Sequence, residues 1–107
     1  MKFSIHQMIP SHRKYLAEHK SEEYFQVSFY GNVPKSLFLA HYNKVSEIVA
    51  DDLDEVFQIG NIGPEECITR LGRMSSISVG DVIEDEEHRL FVVKSFGFDR
   101  FDVKEAA

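Results

Sequence analysis

Ser76-Ile77-Ser78-Val79-Gly80-Asp81-Val82-Ile83, followed after Glu84-Asp85-Glu86-Glu87-His88 by Arg89-Leu90-Phe91-Val92-Val93-Lys94-Ser95, is the stretch whose reading decides the fold. Ser76–Val79 alternates polar and apolar residues with the period of a strand buried on one face. Gly80-Asp81 is a turn pair, and Val82-Ile83 resumes apolar character. The acidic run Glu84–Glu87 with His88 predicts a solvated hairpin loop. Together these predict an antiparallel hairpin of Val79–Ile83 with Arg89–Ser95. Phe96-Gly97-Phe98 continues the second strand past a predicted bulge at Gly97. Phe101 and Val103 extend it as an edge segment, and Lys104–Ala107 is expected to fray.

Working upstream, Asp51-Asp52-Leu53-Asp54-Glu55 opens the clearest helix. An Asp at the cap accepts an amide hydrogen bond, and acids in the first turn complement the positive helix end. Leu53, Val56, Phe57 and Gly60 fall on one face at the three/four spacing. Gly60-Asn61-Ile62-Gly63-Pro64 ends the helix, and Glu65–Leu71 reads as a further helical turn or two. After the short apolar run Leu37-Phe38-Leu39, Tyr42–Ala50 fits either a strand or a helix at spacing three to four, and the strand reading, Tyr42–Val49, is preferred. Tyr24–Tyr30 is read as another strand, with Phe25, Val27 and Phe29 on one face. Lys2–Ile9 is the first strand, with Phe3, Ile5 and Ile9 alternating against polar residues. Pro10 interrupts it, and Ser11 caps a short helix, Ser11–His19.

The composition bounds what such a fold can be. At 107 residues the chain fits one domain, residues 1–107. Thirteen Phe and Tyr residues and an apolar fraction of 43% supply a modest core. A single Cys excludes a disulfide within the chain. No apolar run approaches a membrane span, and the N-terminal residues lack a signal peptide's apolar region, so a cytoplasmic protein is the default expectation. The net charge of −6 disfavours generic nucleic-acid binding, which asks for a basic surface. That charge is uneven: residues 1–50 carry net +2 and residues 51–107 carry net −8.

Residue chemistry points to no catalytic centre. The histidines at 6, 12, 19, 41 and 88 show no metal-binding spacing, although His12 and His19 can share a helix face. Cys67 reads as a small packing residue. No phosphate-binding glycine loop and no nucleophile elbow are present, so no cofactor is expected. Ser75-Ser76-Ile77-Ser78 reads as hydroxyls satisfying backbone groups at a strand entry. Phe91, Phe96, Phe98 and Phe101 read as core. The acids Asp51, Asp52, Asp54, Glu55, Asp85, Glu86 and Glu87 are the candidate partner-binding residues, because acidic faces steer association with basic surfaces.

Two segments also resemble a known family. Asp52-Leu53-Asp54-Glu55-Val56-Phe57-Gln58-Ile59-Gly60-Asn61 is similar to a helix of the YodL-like small proteins of bacteria, phages and plasmids, in which Leu, an acid, an aliphatic, an aromatic and a final Asn recur at this spacing. Ser76–Ile83, then Phe91-Val92-Val93 and Ser95-Phe96-Gly97-Phe98, resembles that family's Ser-x-Ser-Val-Gly-Asp segment and the Ser-Phe-Gly-Phe element after it. The resemblance spans about residues 42–98. Relatives often carry Arg directly before Ser-x-Ser; here Ser75 stands there and Arg73 lies two residues earlier. The resemblance brings no catalytic residue. It implies a small accessory protein, frequently on mobile elements, that works by binding. Ser76, Ser78, Gly80, Asp81 and Gly97 read as structural members of the motif.

The expected fold is α+β: a small, mainly antiparallel sheet with one or two short helices packed on one face. The expected function is a non-enzymatic protein-binding accessory factor that modulates a host system, its partner a protein with a basic surface. A homodimer is left open and no membrane is involved. The alternative is a small metal-dependent or acid/base enzyme using the acidic clusters. A weaker alternative is nucleic-acid association through Arg13, Lys14, Lys20 and Lys35.

Overall fold

The computed structural model describes residues 1–101. Val103 and Lys104–Ala107, read as an edge segment and a frayed end, lie outside the described residues. The elements are β1 (Lys2–Met8), α1 (Pro10–His19), α2 (Ser21–Tyr30), α3 (Lys35–His41), β2 (Tyr42–Val49), α4 (Leu53–Ile62), a 3-10 turn (Glu65–Cys67), β3 (Ile68–Arg70), β4 (Val82–Glu84), β5 (Leu90–Val93) and β6 (Phe98–Phe101). The strands form one sheet in the order β3-β2-β1-β4-β5-β6, antiparallel throughout. This is the α+β class with an antiparallel sheet that the sequence led us to expect. The helical complement is larger, with four α-helices among the described residues, and they cover both sheet faces. Among those residues, no helix is long and apolar enough to cross a membrane.

Alternation along the strands sets the two faces. Phe3 and Ile5 of β1, Ile48 of β2, Ile83 of β4 and Val93 of β5 point to one face and meet Val56 and Ile59 of α4. Val82, Leu90 and Val92 point to the other, where Phe38 of α3 and Tyr42 cover them. Met8 at the end of β1 gathers Leu16, Val27 and Leu37, one residue from each of α1, α2 and α3. Ile5, Ile48, Val56 and Ile83 are fully buried. Each such side chain contributes about 1.5–3 kcal/mol. The β1–β2 register shifts between Ile5 and His6, so β2 carries an extra residue there. That bulge lets the neighbours Val45 and Ser46 both be buried.

Several expectations are corrected. Tyr24–Tyr30 lies in helix α2, not in a strand. Glu22 and Glu23 favour its first turn, and Gly31 closes it in the left-handed region at φ 68°. Helix α1 begins at Pro10 with Ile9 as its cap; Ser11 makes no cap, because Pro at the first position needs no amide partner. Ser76–Val79 forms no strand: residues 76–78 join no ladder and Val79-Gly80 is a turn, because this segment crosses over α4's face of the sheet on its way from β3 to β4. Beyond the 3-10 turn, Glu65–Leu71 forms strand β3 instead of helix. In α4 the inward residues are Val56 and Ile59, while Phe57 is exposed. Gly97, at φ 76°, sits in the turn joining β5 to β6 and not in a bulge, with the Lys94 amide donating to its carbonyl at 3.0 Å. Phe96 at that turn is 96% exposed, so it is not core.

Candidate functional site

The two halves of the motif meet in space. The side chain of Asn61, at the end of α4, accepts from the Ile77 amide at 2.7 Å and donates to the Ile77 carbonyl at 3.2 Å. Ile77 is buried beneath α4 against Gly60, where a Cβ would collide with its side chain. Gln7 of β1 holds the flanking residues: its Oε1 accepts from the Ser75 amide at 3.0 Å, and its Nε2 donates to the Ser75 carbonyl and to Asp81 Oδ2, each at 3.0 Å. The same Asp81 oxygen accepts from the Ser78 amide at 3.0 Å. The Tyr42 hydroxyl donates to the Gly80 carbonyl at 2.6 Å. Gly80 adopts φ 92° with Val27's carbonyl pressed against it, so no side chain fits there.

These contacts assign structural roles to Gly80 and Asp81. The Ser76 and Ser78 hydroxyls make no hydrogen bond among the described residues. The expected hydroxyl role thus passes to Gln7, Asn61 and Asp81, whose longer side chains reach the crossing backbone. Burial raises the Asp81 carboxyl to about 6, against the opposing pull of Ser78, Gln7 and Arg13. Burial, then the Asp81 charge, pushes the Tyr42 hydroxyl well above its ordinary value.

The acidic candidates sit at the other end of the sheet. Asp51 follows β2 and Asp85 follows β4, and these strands flank β1 on either side with Lys2 beside Val49 and Ser4 beside Glu84. Both runs therefore leave from the Lys2 end of β1, about 10 Å apart by strand spacing. Their members are not equivalent. Asp52 caps α4 by accepting from the Glu55 amide at 2.8 Å, and Glu55 accepts from the Asp51 amide at 2.9 Å. Asp85 accepts from the Glu87 and Arg89 amides and pairs with the Arg89 side chain at 2.7 Å. Glu87 lies 3.4 Å from Arg89. Asp51, Asp54 and Glu86 keep exposed carboxylates.

Glu84, expected in the loop, ends β4 and bridges two histidines, His6 at 2.9 Å and His88 at 2.7 Å. Burial pushes its carboxyl up, but the hydrogen bonds from His88 and His6 outweigh this and leave it lowered. His12 faces His41, with Nδ1 atoms 3.0 Å apart, and does not meet His19. Cys67 packs half-buried against the core. Among the described residues, no group of three or more His, Cys, Asp or Glu is placed to hold a metal ion.

The sequence reading missed the outer face of α2. Phe25 and Phe29 stack at 4.4 Å between ring centroids, and Tyr30 joins Phe25 at 5.6 Å. They are 42%, 57% and 55% exposed, while Val27 of the same helix is buried. Glu22 lies on the same stripe, three and seven residues before Phe25 and Phe29. The signal was present: acids at 22 and 23 and a glycine at 31 bracket a helix-length segment. The period-two spacing of Phe25, Val27 and Phe29 masked it.

No family model, no curated protein and no solved structure matches this chain.

Proposed function

We propose that this protein is a non-enzymatic accessory factor that works by binding another protein. The observation that carries the reading is the exposed aromatic stack on α2. Phe25, Phe29 and Tyr30 contribute nothing to the core, yet they hold a large apolar surface in water. Aromatic residues of this kind anchor protein interfaces, where desolvating a ring supplies much of the binding energy. Glu22 on the same stripe and the overall charge of −6 favour a partner with an apolar pocket rimmed by basic groups. Asp51, Asp54 and Glu86, which leave the opposite end of β1, add long-range attraction to the same kind of partner.

Membership of the YodL-like family is part of the proposal. Its support is that the helix motif ending at Asn61 and the motif containing Ile77 are bonded to each other. A role in modulating a host system follows from that membership and not from the geometry.

The test is affinity capture from a bacterial extract with the wild-type chain and with Phe25→Ser/Phe29→Ser. The captured partner should be lost with the double variant and weakened by 0.5 M salt in the wild type. Both substitutions fall on exposed positions, so the variant should keep its folding stability to within about 1 kcal/mol. Unchanged capture by a folded double variant would sink the reading. Concentration-dependent dimerisation abolished by the same variant would make a second copy the occupant.

A further inference from the structure

A second surface has the opposite charge. A groove of about 480 Å³ runs between the first turn of α1 and the segment that follows β3, above the Met8 end of β1. Arg13 lines it from α1 and Arg73 from the segment after β3, with Asn43 and Lys44 of β2 also in the lining and Pro10 and Leu71 supplying exposed apolar surface. Among the described residues, no carboxylate lines it. Lys44 is engaged with Glu47 at 2.8 Å, but neither Arg13 nor Arg73 has an ion-pair partner among those residues. In a chain with eighteen acids and twelve Lys and Arg, two guanidiniums that line one cavity without a direct ion pair are unusual placement. Arg13 is half-buried, which reduces the screening of its charge by water. Its field also reaches the buried Asp81 carboxyl.

We propose that this groove binds a small phosphorylated molecule, with Arg13 and Arg73 closing on the phosphate from opposite walls. Two guanidiniums call for a dianion. A phosphate monoester supplies two charges and three acceptor oxygens suited to the planar guanidinium fork, whereas a single carboxylate leaves one Arg unmatched. The volume is that of a small-molecule site and leaves room for an organic body against Pro10 and Leu71. Asn43 is exposed, and its side-chain amide makes no hydrogen bond among the described residues, so it is placed to read that body. The inference does not depend on the aromatic face of α2.

The experiment is an amide NMR titration of the full chain in 20 mM salt with inorganic phosphate, adenosine monophosphate and glutarate in turn. Saturable shifts are expected at Arg13, Asn43, Gly72 and Arg73 with both phosphates. Arg13→Gln and Arg73→Gln should each weaken the affinity at least tenfold, and Lys20→Gln, outside the groove, should change it less than twofold. The spectra themselves report whether each variant is folded. Tighter binding of the nucleotide supports an ester as the ligand, and equal binding of the two supports free phosphate. Shifts elsewhere, no saturation, an equal effect of Lys20→Gln, or glutarate binding as tightly as phosphate would each overturn the proposal.

Discussion

Gln7 of the central strand donates to Oδ2 of Asp81 at 3.0 Å, in a site where Gln7 is 4% and Asp81 2% exposed. This bond ties the middle of the sheet to the end of the segment that crosses it. It also places a carboxyl where water cannot solvate its charge.

That burial predicts a pH dependence of stability. Asp81 is raised from 3.8 to about 6, so the folded state holds its proton more tightly than the unfolded chain does. Its contribution is neutral below about pH 4 and becomes a growing penalty as pH rises to about 6, on the order of 3 kcal/mol when complete. Asp81→Asn keeps an oxygen for the Ser78 and Gln7 donors and removes the charge. The variant should gain stability relative to wild type between pH 4 and pH 7. Thermal unfolding of both proteins across that range checks this; a constant difference would refute it.

Gly60→Ala sets two effects against each other. Helix propensity alone favours Ala by about 1 kcal/mol. The new methyl would collide with the Ile77 side chain, and overpacking costs about 1–3 kcal/mol. A net loss of up to about 2 kcal/mol is expected in urea unfolding. A more stable variant would mean that Ile77 moves aside freely.

Asn61→Ala strips both partners from the buried Ile77 backbone. The expected loss is about 2–3 kcal/mol, since unpaired buried groups carry their full desolvation cost. Gln58→Ala, on the exposed side of the same helix, should cost less than about 0.5 kcal/mol. Hydrogen exchange at the Ile77 amide should accelerate in the first variant and not in the second.

Ser46→Ala should stabilise. Ser46 is fully buried, and its hydroxyl has no hydrogen-bond partner. Removing it should raise stability by about 0.5–1 kcal/mol, read as a higher urea midpoint at an unchanged slope. A lower midpoint would show that the hydroxyl is bonded.

The sheet was largely legible. Tyr42–Val49 and the β4–β5 hairpin followed from short apolar runs and the acidic loop at residues 84–88, and the α4 start followed from an Asp cap with acids in the first turn. These signals are local, so neighbouring residues carry them. The reading failed where one pattern served two structures. Phe25, Val27 and Phe29 alternate as a strand would, yet burying Val27 against Leu16 and Met8 turns both Phe rings outward on a helix. The aromatic face of α2 went unread with it, because exposure is not written in the residue type.

The sequence by itself determined the class, the acidic balance and the local signals of cap, turn and strand, because those depend on neighbours a few residues apart. The tertiary structure alone decided that Gln7, Asn61 and Asp81 would serve the backbone of residues 75–81, since partners up to seventy-four residues apart leave no local trace. It also decided that both acidic runs leave one sheet end, through the register of β1 with β2 and β4. The aromatic face and the basic groove arise the same way, from which side of each element the core claims.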